Sequence, residues 1–479
     1  MIARMVSSQN LPFSIREICV IKLLQFKYFC TRRTSHSQLG LRILLPRSDI
    51  QALRLAGRVF LYQSIQNKIT TAKTLSPGIP DISSRQPFPL TESSKARHNL
   101  FRHSAALTRS IYDKSIVQTI RVETPSAKYN VVAGSGLLET LAPRIERALG
   151  KLPRRVFVLT SAPIWALWSE RFLASFAEEP TVLFLEPGEK FKTLASVERL
   201  AREMVRAEGD RGSLLIAFGG GIVGDVGGFL ASIFMRGIPF VQVPTTLLAQ
   251  VDSSVGGKTG VNLAEGKNLV GAFHQPRAVF ADIQTLSTLP ERELRAGLME
   301  SVKAGIIRDR ALVRFMESSA RAVLSRDPKA LEKVIAASIR MKAGVVNKDE
   351  RENGLRMILN FGHTLGHGLE QATGYKTLLH GEAVGWGMIA ALWLARARGT
   401  VSKAQFERLE SLVHQYGPLP QVKVKAARVL SAAGHDKKNV NGVRRFILPV
   451  GIGDAGVVED VTAAEMEAAA KYMLDCAAE

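Results

Sequence analysis

Cysteine is scarce in this sequence of 479 residues, which contains only three. Cys19 and Cys30 lie near the amino terminus and Cys476 near the carboxyl terminus. No zinc-thiolate cluster can therefore form within the body of the chain, and nothing indicates an oxidising compartment. Long apolar runs are also missing, because none approaches the roughly eighteen residues that a membrane helix needs. The sequence predicts a soluble protein without a membrane partner.

Acidic residues are scarce at the amino terminus. The first 110 residues carry 4 Asp and Glu against 17 Lys and Arg, whereas the remainder carries 39 against 47, so most of the formal charge of +21 belongs to this extension. A transit peptide, a disordered tail and a translated segment upstream of the true start all fit, and the lack of targeting-peptide organisation favours the last. We therefore predict a cytoplasmic rather than an organellar location. The extension also lacks the signatures of nucleic-acid recognition modules, so no nucleic-acid partner is predicted.

Strands and helices alternate after the extension. The segments SIVQTIRVET and KYNVVAG alternate apolar and polar residues and predict a hairpin joined near Pro125. The further strand candidates are Arg155 to Thr160, Val182 to Leu185, Leu214 to Phe218, Phe240 to Val243 and Val279 to Ala281. Helical segments such as Leu194 to Ala207 separate them. This alternation predicts a Rossmann-like α/β domain, in which a parallel sheet carries helices on its faces.

The pattern changes after Pro290, where helical periods dominate until a short strand-like run, Arg445 to Leu448. With 46% hydrophobic and 22% charged residues, the chain is large enough for two domains. Residues 1–112 are predicted to form a basic extension that is disordered or absent from the mature protein. Residues 113–289 are predicted to form the α/β nucleotide-binding domain, and residues 290–479 a mostly α-helical domain that binds metal and substrate. The site should lie between these two domains.

A run of three glycines directly follows the predicted strand at Leu214 to Phe218. Gly219, Gly221 and Gly224 match the dinucleotide fingerprint, and a helix that begins near Ile222 would direct its amide groups at a diphosphate. No Asp or Glu lies about twenty residues further on, where the fingerprint places a ribose-binding acid. The sequence therefore predicts a dinucleotide whose ribose contacts come from elsewhere. The later run VGGKTG is no phosphate loop, because Asp252 stands where that motif requires glycine.

Three histidines and one glutamate indicate a metal site. His363 and His367 are four residues apart and would share one helix face, His380 follows in LHGE, and Glu300 lies in MESVK. Spacing alone makes His363 and His367 co-ligands. Three nitrogen or oxygen ligands with an open position are typical of a catalytic zinc site.

Long motifs occur in a specific order: GGGIVGD, FMRG, QVPTTLLAQVDSSVGGKTGVN, GKNLVGAFHQP, MESVK, LRMILNFGHTLGH, LHGEAVGWGM and HDKKN. On these motifs the chain, from about Ser115 to its end, closely resembles the 3-dehydroquinate synthase family of sugar phosphate cyclases. The resemblance implies a dehydroquinate synthase-like fold, NAD and Zn²⁺ or Co²⁺ as cofactors, a homodimer and a role in the shikimate pathway to aromatic amino acids. The implied substrate is 3-deoxy-D-arabino-heptulosonate 7-phosphate, a phosphorylated sugar acid. Transient oxidation by NAD, loss of phosphate, re-reduction and an intramolecular aldol closure would yield 3-dehydroquinate.

The resemblance also implies residue roles by motif. The implied metal ligands are Glu300, His363 and His380, and the implied catalytic residues are His367, Glu352 and Lys303. The implied cofactor-binding residues are Glu189, Lys192, Gly220, Gly221, Ile222, Asp225, Thr245, Thr246, Lys267, Thr285 and Thr288. The implied substrate-binding residues are Arg236, Asp252, Lys258, Asn268, Lys342, Arg356, Asn360, Lys437 and Lys438.

One departure from the family pattern concerns the adenosine site. Ser161 and Pro163 stand where the family usually has Asp and Asn, so an adenosine contact is expected to be lost or moved. Related cyclases and metal-dependent polyol dehydrogenases share the fold and the nucleotide loop. A substrate without a carboxylate would have little use for Arg356 together with Lys437 and Lys438, which favours the sugar acid.

Overall fold

The computed structural model describes residues 117–434 and 445–478, so the predicted extension, residues 1–112, lies outside the described residues. The strands before residue 283 are β1 (Gln118–Glu123), β2 (Lys128–Gly134), β3 (Val156–Thr160), β4 (Thr181–Phe184), β5 (Leu214–Gly219), β6 (Phe240–Pro244), β7 (Lys258–Leu263), β8 (Gly266–Phe273) and β9 (Ala278–Asp282). Seven of them form one sheet in the order β1-β2-β9-β6-β5-β3-β4. Apart from the antiparallel β1–β2 pair, neighbouring strands in this sheet are parallel. The predicted hairpin, strands and parallel sheet are confirmed.

Helices cover both faces of this sheet, which explains why its central strands are mainly apolar. The helices in this part are α1 (Leu141–Leu149), α2 (Ala162–Leu173), α3 (Leu194–Arg206) and α4 (Gly221–Ile233). Val158 of β3 packs in one core with residues of α1 and α2, whereas its neighbours Phe157 and Leu159 pack in another with residues of α3 and α4. Successive strand residues point to opposite faces, so a strand covered on both sides needs apolar residues at most of its positions.

Helices predominate after Pro290, as predicted. They are α5 (Glu291–Arg308), α6 (Arg310–Leu324), α7 (Pro328–Lys348), α8 (His363–Ala372), α9 (His380–Ala397), α10 (Lys403–Gln415), α11 (Ala426–Gly434) and α12 (Ala463–Cys476), with a short hairpin of β10 (Phe446–Pro449) and β11 (Ala455–Val458) before α12. Their core also contains residues of β1 and β2, so the first hairpin packs on the helical part. The domain boundary near Pro290 stays a prediction. Within the described ranges, no helix combines the length and apolarity that crossing a bilayer requires.

The hairpin of β7 and β8 was not predicted. None of the predicted strands covers its residues, but they form an antiparallel pair that packs along α4. Most residues of β8 are exposed or half-buried. A strand with little buried surface carries a weak hydrophobic alternation, which is the signal that strand prediction needs.

Candidate active site

The glycine turn lies at the carboxyl edge of the sheet, between β5 and α4. Gly219 ends the strand, Gly220 caps the helix and Gly221 begins it, as the sequence predicts. A Cβ on Gly220 would lie 2.9 Å from Thr246 Cγ2, so a side chain would crowd the space before the helix amides. The strand order also changes direction here, because β3 has β4 on one side and β5 on the other. Open α/β sheets bind nucleotides at such switch points.

Two buried hydroxyl groups lie at the same edge. Thr160 ends β3 and Thr245 directly follows β6, and the two residues are 0% and 2% exposed. Their side-chain oxygen atoms form no hydrogen bond with any described residue. Buried polar atoms are normally satisfied, so these two indicate a missing polar partner. The turn and the hydroxyl groups fit the diphosphate and ribose groups of a dinucleotide.

Two of the implied cofactor-binding residues, Glu189 and Lys192, follow β4 and lie beside α4. Lys192 is 4% exposed, and its ammonium group contacts Asp225 Oδ2 and Asn268 Oδ1. Glu189 Oε1 accepts a 2.8 Å hydrogen bond from Asn262 Nδ2. Burial raises the pKa of Asp225 above its ordinary value, although the Lys192 charge opposes this shift. These contacts connect the helix of the glycine turn with the hairpin of β7 and β8.

Three helices bring four possible metal-binding side chains together. Glu300 comes from the middle of α5, His363 and His367 from the first two turns of α8, and His380 from the start of α9. Glu300 Oε1 lies 3.9 Å from His363 Nε2 and 3.6 Å from His380 Nε2. The possible ligand atoms of the three histidines lie within 4.8 Å of one another. This donor set is typical of catalytic zinc and related divalent-metal sites.

The Glu300 carboxylate provides an independent test of this fit. Glu300 is 3% exposed, and neither of its carboxylate oxygen atoms accepts a well-directed hydrogen bond from the part of the chain that the structure describes. Lys303, one helical turn later, forms an ion pair with Oε2. Oε1 faces the two histidine nitrogens instead, and a buried carboxylate oxygen with an unfilled acceptor position is unfavourable unless a further partner such as a metal ion completes its surroundings. The residues present therefore fit a divalent cation.

Both ligand sets considered from the sequence remain compatible with the geometry. The His363 and His367 ring centroids are 5.1 Å apart, and the His380 ring lies 5.2 Å from the first and 5.7 Å from the second. The assignment of Glu300, His363 and His380 as ligands, with His367 as an acid–base group, stays a prediction.

Glu370 belongs to this cluster, although sequence analysis did not select it. Its Oε2 lies 3.2 Å from His380 Nδ1, and its Oε1 accepts a 3.0 Å hydrogen bond from Lys267 Nζ. Burial alone would raise the pKa of Glu370, but these two contacts hold it at about 2. A carboxylate on the second ring nitrogen of a metal-binding histidine orients that ring. The available signal was spacing, since Glu370 lies three residues after His367 on the same helix.

A second group of charges contains predicted substrate-binding residues. Lys342 Nζ donates 2.7 Å hydrogen bonds to the main-chain oxygen and to Oδ1 of Asp252. Lys258 Nζ forms an ion pair with Glu352 Oε2, and Asn360 Nδ2 donates a 2.8 Å hydrogen bond to Glu352 Oε1. Burial raises the pKa of Asp252, but the Lys342 ammonium group and its neighbours lower it well below the ordinary value. The structure thus brings all five residues into paired contacts.

Arg356 is buried and bound to main-chain oxygen atoms. It is 1% exposed, its Nη2 donates a 3.1 Å hydrogen bond to the Gly256 oxygen, and its Nη1 donates to the Glu350 oxygen. A substrate contact for Arg356 stays a prediction.

Two predicted cofactor-binding threonines follow β9. Thr285 Oγ1 accepts a 3.2 Å hydrogen bond from Gln250 Nε2, and Thr288 Oγ1 accepts a 3.1 Å hydrogen bond from Trp168 Nε1. Ser161, one of the two residues that depart from the family pattern, is the N-cap residue of α2. The other, Pro163, lies in the first turn of this helix. These contacts connect the predicted adenosine region with the threonine pair through α2.

Arg236 lies at the other end of α4 from the glycine turn. The helix has 13 residues, which corresponds to a length of about 20 Å. Arg236 is exposed and has a φ of 70°. The described chain therefore does not bring Arg236 to the glycine turn. Lys437 and Lys438 lie outside the described residues.

Two family models match the chain. The model for the 3-dehydroquinate synthase N-terminal region matches residues 182–296, and that for the C-terminal region matches residues 297–439. A 3-dehydroquinate synthase of Solibacter usitatus is 51% identical over 342 residues, which cover 71% of this chain and 95% of the relative. One of Koribacter versatilis is 50% identical over 72% of this chain and 94% of the relative.

Solved structures show the same fold. The 2-epi-5-epi-valiolone synthase ValA from Streptomyces hygroscopicus, with NAD⁺ and Zn²⁺ bound, is 30% identical with a TM-score of 0.66, over 73% of this chain and 98% of that one. A 2-deoxy-scyllo-inosose synthase complexed with carbaglucose-6-phosphate, NAD⁺ and Co²⁺ is 28% identical with a TM-score of 0.67, over 74% and 100%. A glycerol dehydrogenase of Schizosaccharomyces pombe, 16% identical with a TM-score of 0.53 over 72% and 89%, shares the fold alone.

Proposed function

The chain belongs to the 3-dehydroquinate synthase family, and on this premise we propose that it converts 3-deoxy-D-arabino-heptulosonate 7-phosphate into 3-dehydroquinate and phosphate. The reaction places the protein in the shikimate pathway. The single observation that carries the proposal is the cluster of the buried Glu300 carboxylate with three histidines, which adjoins paired lysine and acidic side chains. Such a site can hold a metal ion and a highly anionic substrate at once.

The cofactors are NAD and a divalent metal ion, as in the related cyclases. We assign Zn²⁺ or Co²⁺ to Glu300, His363 and His380. NAD is assigned to the carboxyl edge of the sheet, where main-chain amides of Gly220, Gly221 and Ile222 precede or begin α4. When bound, NAD exchanges a hydride with the substrate and the metal ion acts as a Lewis acid. The remaining cofactor contacts are assigned to Glu189, Lys192, Asp225, Thr245, Thr246, Lys267, Thr285 and Thr288.

The charged side chains supply the other half of the site. Lys258 and Lys342 each already pair with a carboxylate, and an incoming phosphate or carboxylate would compete for the same ammonium groups. Arg356, Asn360 and Asn268 complete this set, with Lys437 or Lys438 and Arg236 as further contacts. Binding through several cations fixes the substrate in one orientation, which lowers the entropic part of the barrier.

Proton transfer is assigned to His367, Glu352 and Lys303. His367 lies in the histidine cluster, where a ring nitrogen can exchange a proton with a substrate oxygen. Glu352 accepts hydrogen bonds from Lys258 and Asn360, so its carboxylate lies among the substrate-binding residues. Lys303 is 2% exposed and forms an ion pair with Glu300.

A coupled assay tests the proposed function. The protein receives the heptulosonate phosphate with NAD and Zn²⁺, and phosphate, 3-dehydroquinate and NADH are followed together. We expect phosphate and 3-dehydroquinate in equal amounts, no accumulation of NADH, and loss of activity with a chelator that Zn²⁺ or Co²⁺ reverses. NADH formed in proportion to substrate consumed would instead identify a simple dehydrogenase. Absence of 3-dehydroquinate would contradict the proposal.

We further propose a homodimer and a cytoplasmic location. Exposed apolar side chains near the end of α4 and on the β7–β8 hairpin support an interface with a second copy of the chain. These side chains are Ile233, Met235, Leu263, Leu269 and Phe273. Light scattering after size-exclusion chromatography should give twice the chain mass, and a monomer at micromolar concentration would exclude the dimer. Fractionation of cells that express the full chain tests the location.

A further inference from the structure

Both main-chain polar atoms of Gly256 are held by buried side chains from distant parts of the sequence. The Gly256 N–H donates a 3.1 Å hydrogen bond to the Tyr129 hydroxyl, and the Gly256 oxygen accepts a 3.1 Å hydrogen bond from Arg356 Nη2. Tyr129 is 2% exposed and Arg356 is 1% exposed. Hydrogen bonds between such buried groups are costly to leave unmade, so they restrain the backbone strongly.

We propose that Tyr129 and Arg356 are positioning residues that clamp Gly256 and thereby set the place of the Lys258 ammonium group, two residues later. Gly256 has a φ of 98°, a region that favours glycine. A Cβ at Gly256 would also lie 2.5 Å from Arg356 Nη2. The inference rests on the proposed function, in which Lys258 binds the substrate. It gives Arg356 a role beyond the substrate contact that the family resemblance implies.

The clamp connects with the partner of Lys258 on the other side. Lys258 forms an ion pair with Glu352, and Glu352 lies in the turn that leads to Arg356. Asp349 holds this turn, because its carboxylate accepts hydrogen bonds of 2.8 to 3.0 Å from three main-chain amides, those of residues 353, 354 and 356. These residues therefore form a closed circuit. Arg356 binds Gly256 and Glu352 binds Lys258, while short stretches of chain join Gly256 to Lys258 and Glu352 to Arg356. Loosening one member changes the position of the Lys258 ammonium group relative to Glu352.

Tyr129 anchors this circuit to the first hairpin. Tyr129 lies on β2, and the turn before β2 docks on Glu350, which accepts hydrogen bonds from the Ser126 amide at 3.2 Å and from Gln275 Nε2 at 2.8 Å. Glu350 in turn contributes its main-chain oxygen to Arg356. Burial raises the pKa of Tyr129 to about 12, so the hydroxyl stays neutral near pH 7 and the clamp does not change with moderate pH.

Tyr129→Phe tests the clamp, with Tyr416→Phe as the matched control. Tyr416 is 0% exposed, and its hydroxyl also forms one buried hydrogen bond to the main chain, a 2.9 Å bond to the Met316 oxygen. Tyr129→Phe should raise the KM for the heptulosonate phosphate about tenfold, the factor expected for one lost hydrogen bond, with kcat within about threefold and NAD affinity unchanged. This ratio should stay constant between about pH 6 and 8. Tyr416→Phe should leave KM unchanged although it loses comparable thermal stability.

Hydrogen exchange measured by mass spectrometry gives a readout that does not depend on activity. Peptides that contain residues 254–258 should exchange faster in Tyr129→Phe than in the unaltered protein or in Tyr416→Phe. Unchanged exchange and KM in Tyr129→Phe, or an equal effect of Tyr416→Phe, would overturn the clamp. If the unaltered protein releases no phosphate from this substrate, the proposed function is wrong, and the exchange measurement alone decides whether Tyr129 holds Gly256.

Discussion

The nucleotide edge of the sheet and the histidine cluster of the helical part are built from different kinds of chemical groups. The nucleotide edge consists of main-chain groups and small side chains just beyond the ends of neighbouring strands, such as Gly220 and Thr245. The histidine cluster consists of ionisable side chains from three helices, with Glu300 and Lys303 at most 3% exposed and His367 and His380 half-buried. The first region should therefore be sensitive to added volume, and the second to a change of charge at constant volume.

The largest effect is expected from Glu300→Gln, which removes a charge and keeps the shape. We expect turnover to fall by on the order of a thousandfold or more, because metal catalysis contributes several kcal/mol and the variant loses a ligand. Metal content after dialysis, measured by mass spectrometry, should fall in parallel. NAD binding should stay intact, because the glycine turn is untouched. Full metal occupancy in Glu300→Gln would contradict the ligand assignment.

Glu370→Gln should have the next largest effect, through the orientation of His380. Glu370 accepts contacts from His380 and Lys267, and loss of such an outer carboxylate typically weakens metal binding about ten- to a hundredfold. Competition with a chromophoric chelator measures the metal affinity. Glu410→Gln is a suitable control, because Glu410 also accepts one hydrogen bond, from Tyr472, but lies on α10. Equal metal affinities in the two variants would exclude an orienting role for Glu370.

A smaller effect is expected when volume is added at the nucleotide edge. Gly220→Ala would place a Cβ 2.9 Å from Thr246 Cγ2, and for one added methyl group we expect the low end of the overpacking cost, about 1–1.5 kcal/mol, so NAD affinity should fall about five- to tenfold. Metal content should not change. Gly344→Ala in α7 is the control, because a Cβ there meets nothing within 4 Å. Intrinsic protein fluorescence during NAD titration measures the affinity. A loss of metal in Gly220→Ala would contradict the claim that the nucleotide edge and the histidine cluster respond independently.

The two regions also differ in how far the sequence predicts them. The nucleotide edge follows from one contiguous stretch, in which a buried strand, three glycines and a helix appear in order. The family motifs brought Glu300, His363 and His380 into one hypothesis, whereas spacing alone selected His363 and His367. The packing of α5 against α8 and α9, which decides what lies beside Glu300, depends on contacts between residues far apart in sequence.

Contacts that cross long stretches of sequence escaped prediction for the same reason. Tyr129 meets Gly256 across 127 positions, and no local pattern marks a tyrosine whose hydroxyl accepts a main-chain hydrogen bond. Glu370 could have been predicted as a member of the cluster, because its spacing from His367 places both on one helix face. The hairpin of β7 and β8 was missed because an exposed strand lacks hydrophobic alternation.

The smallest effect should come from an ion pair that belongs to neither region. Arg398 donates hydrogen bonds of 2.7 and 2.8 Å to the Glu465 carboxylate, which also accepts one from the Thr462 amide, and these contacts lower the pKa of Glu465 from 4.5 to about 2. The stability that they contribute is therefore present above about pH 4.5 and is lost as the pH falls toward about 2. Glu465→Gln should lower the melting temperature at pH 7 by no more than about 2 °C, since partly exposed ion pairs contribute little. Calorimetry from pH 7 to pH 3 should show the difference in melting temperature between the two proteins shrinking. Metal and NAD binding at pH 7 should be unchanged. A difference in melting temperature that stays constant with pH would exclude ionised Glu465 as its source.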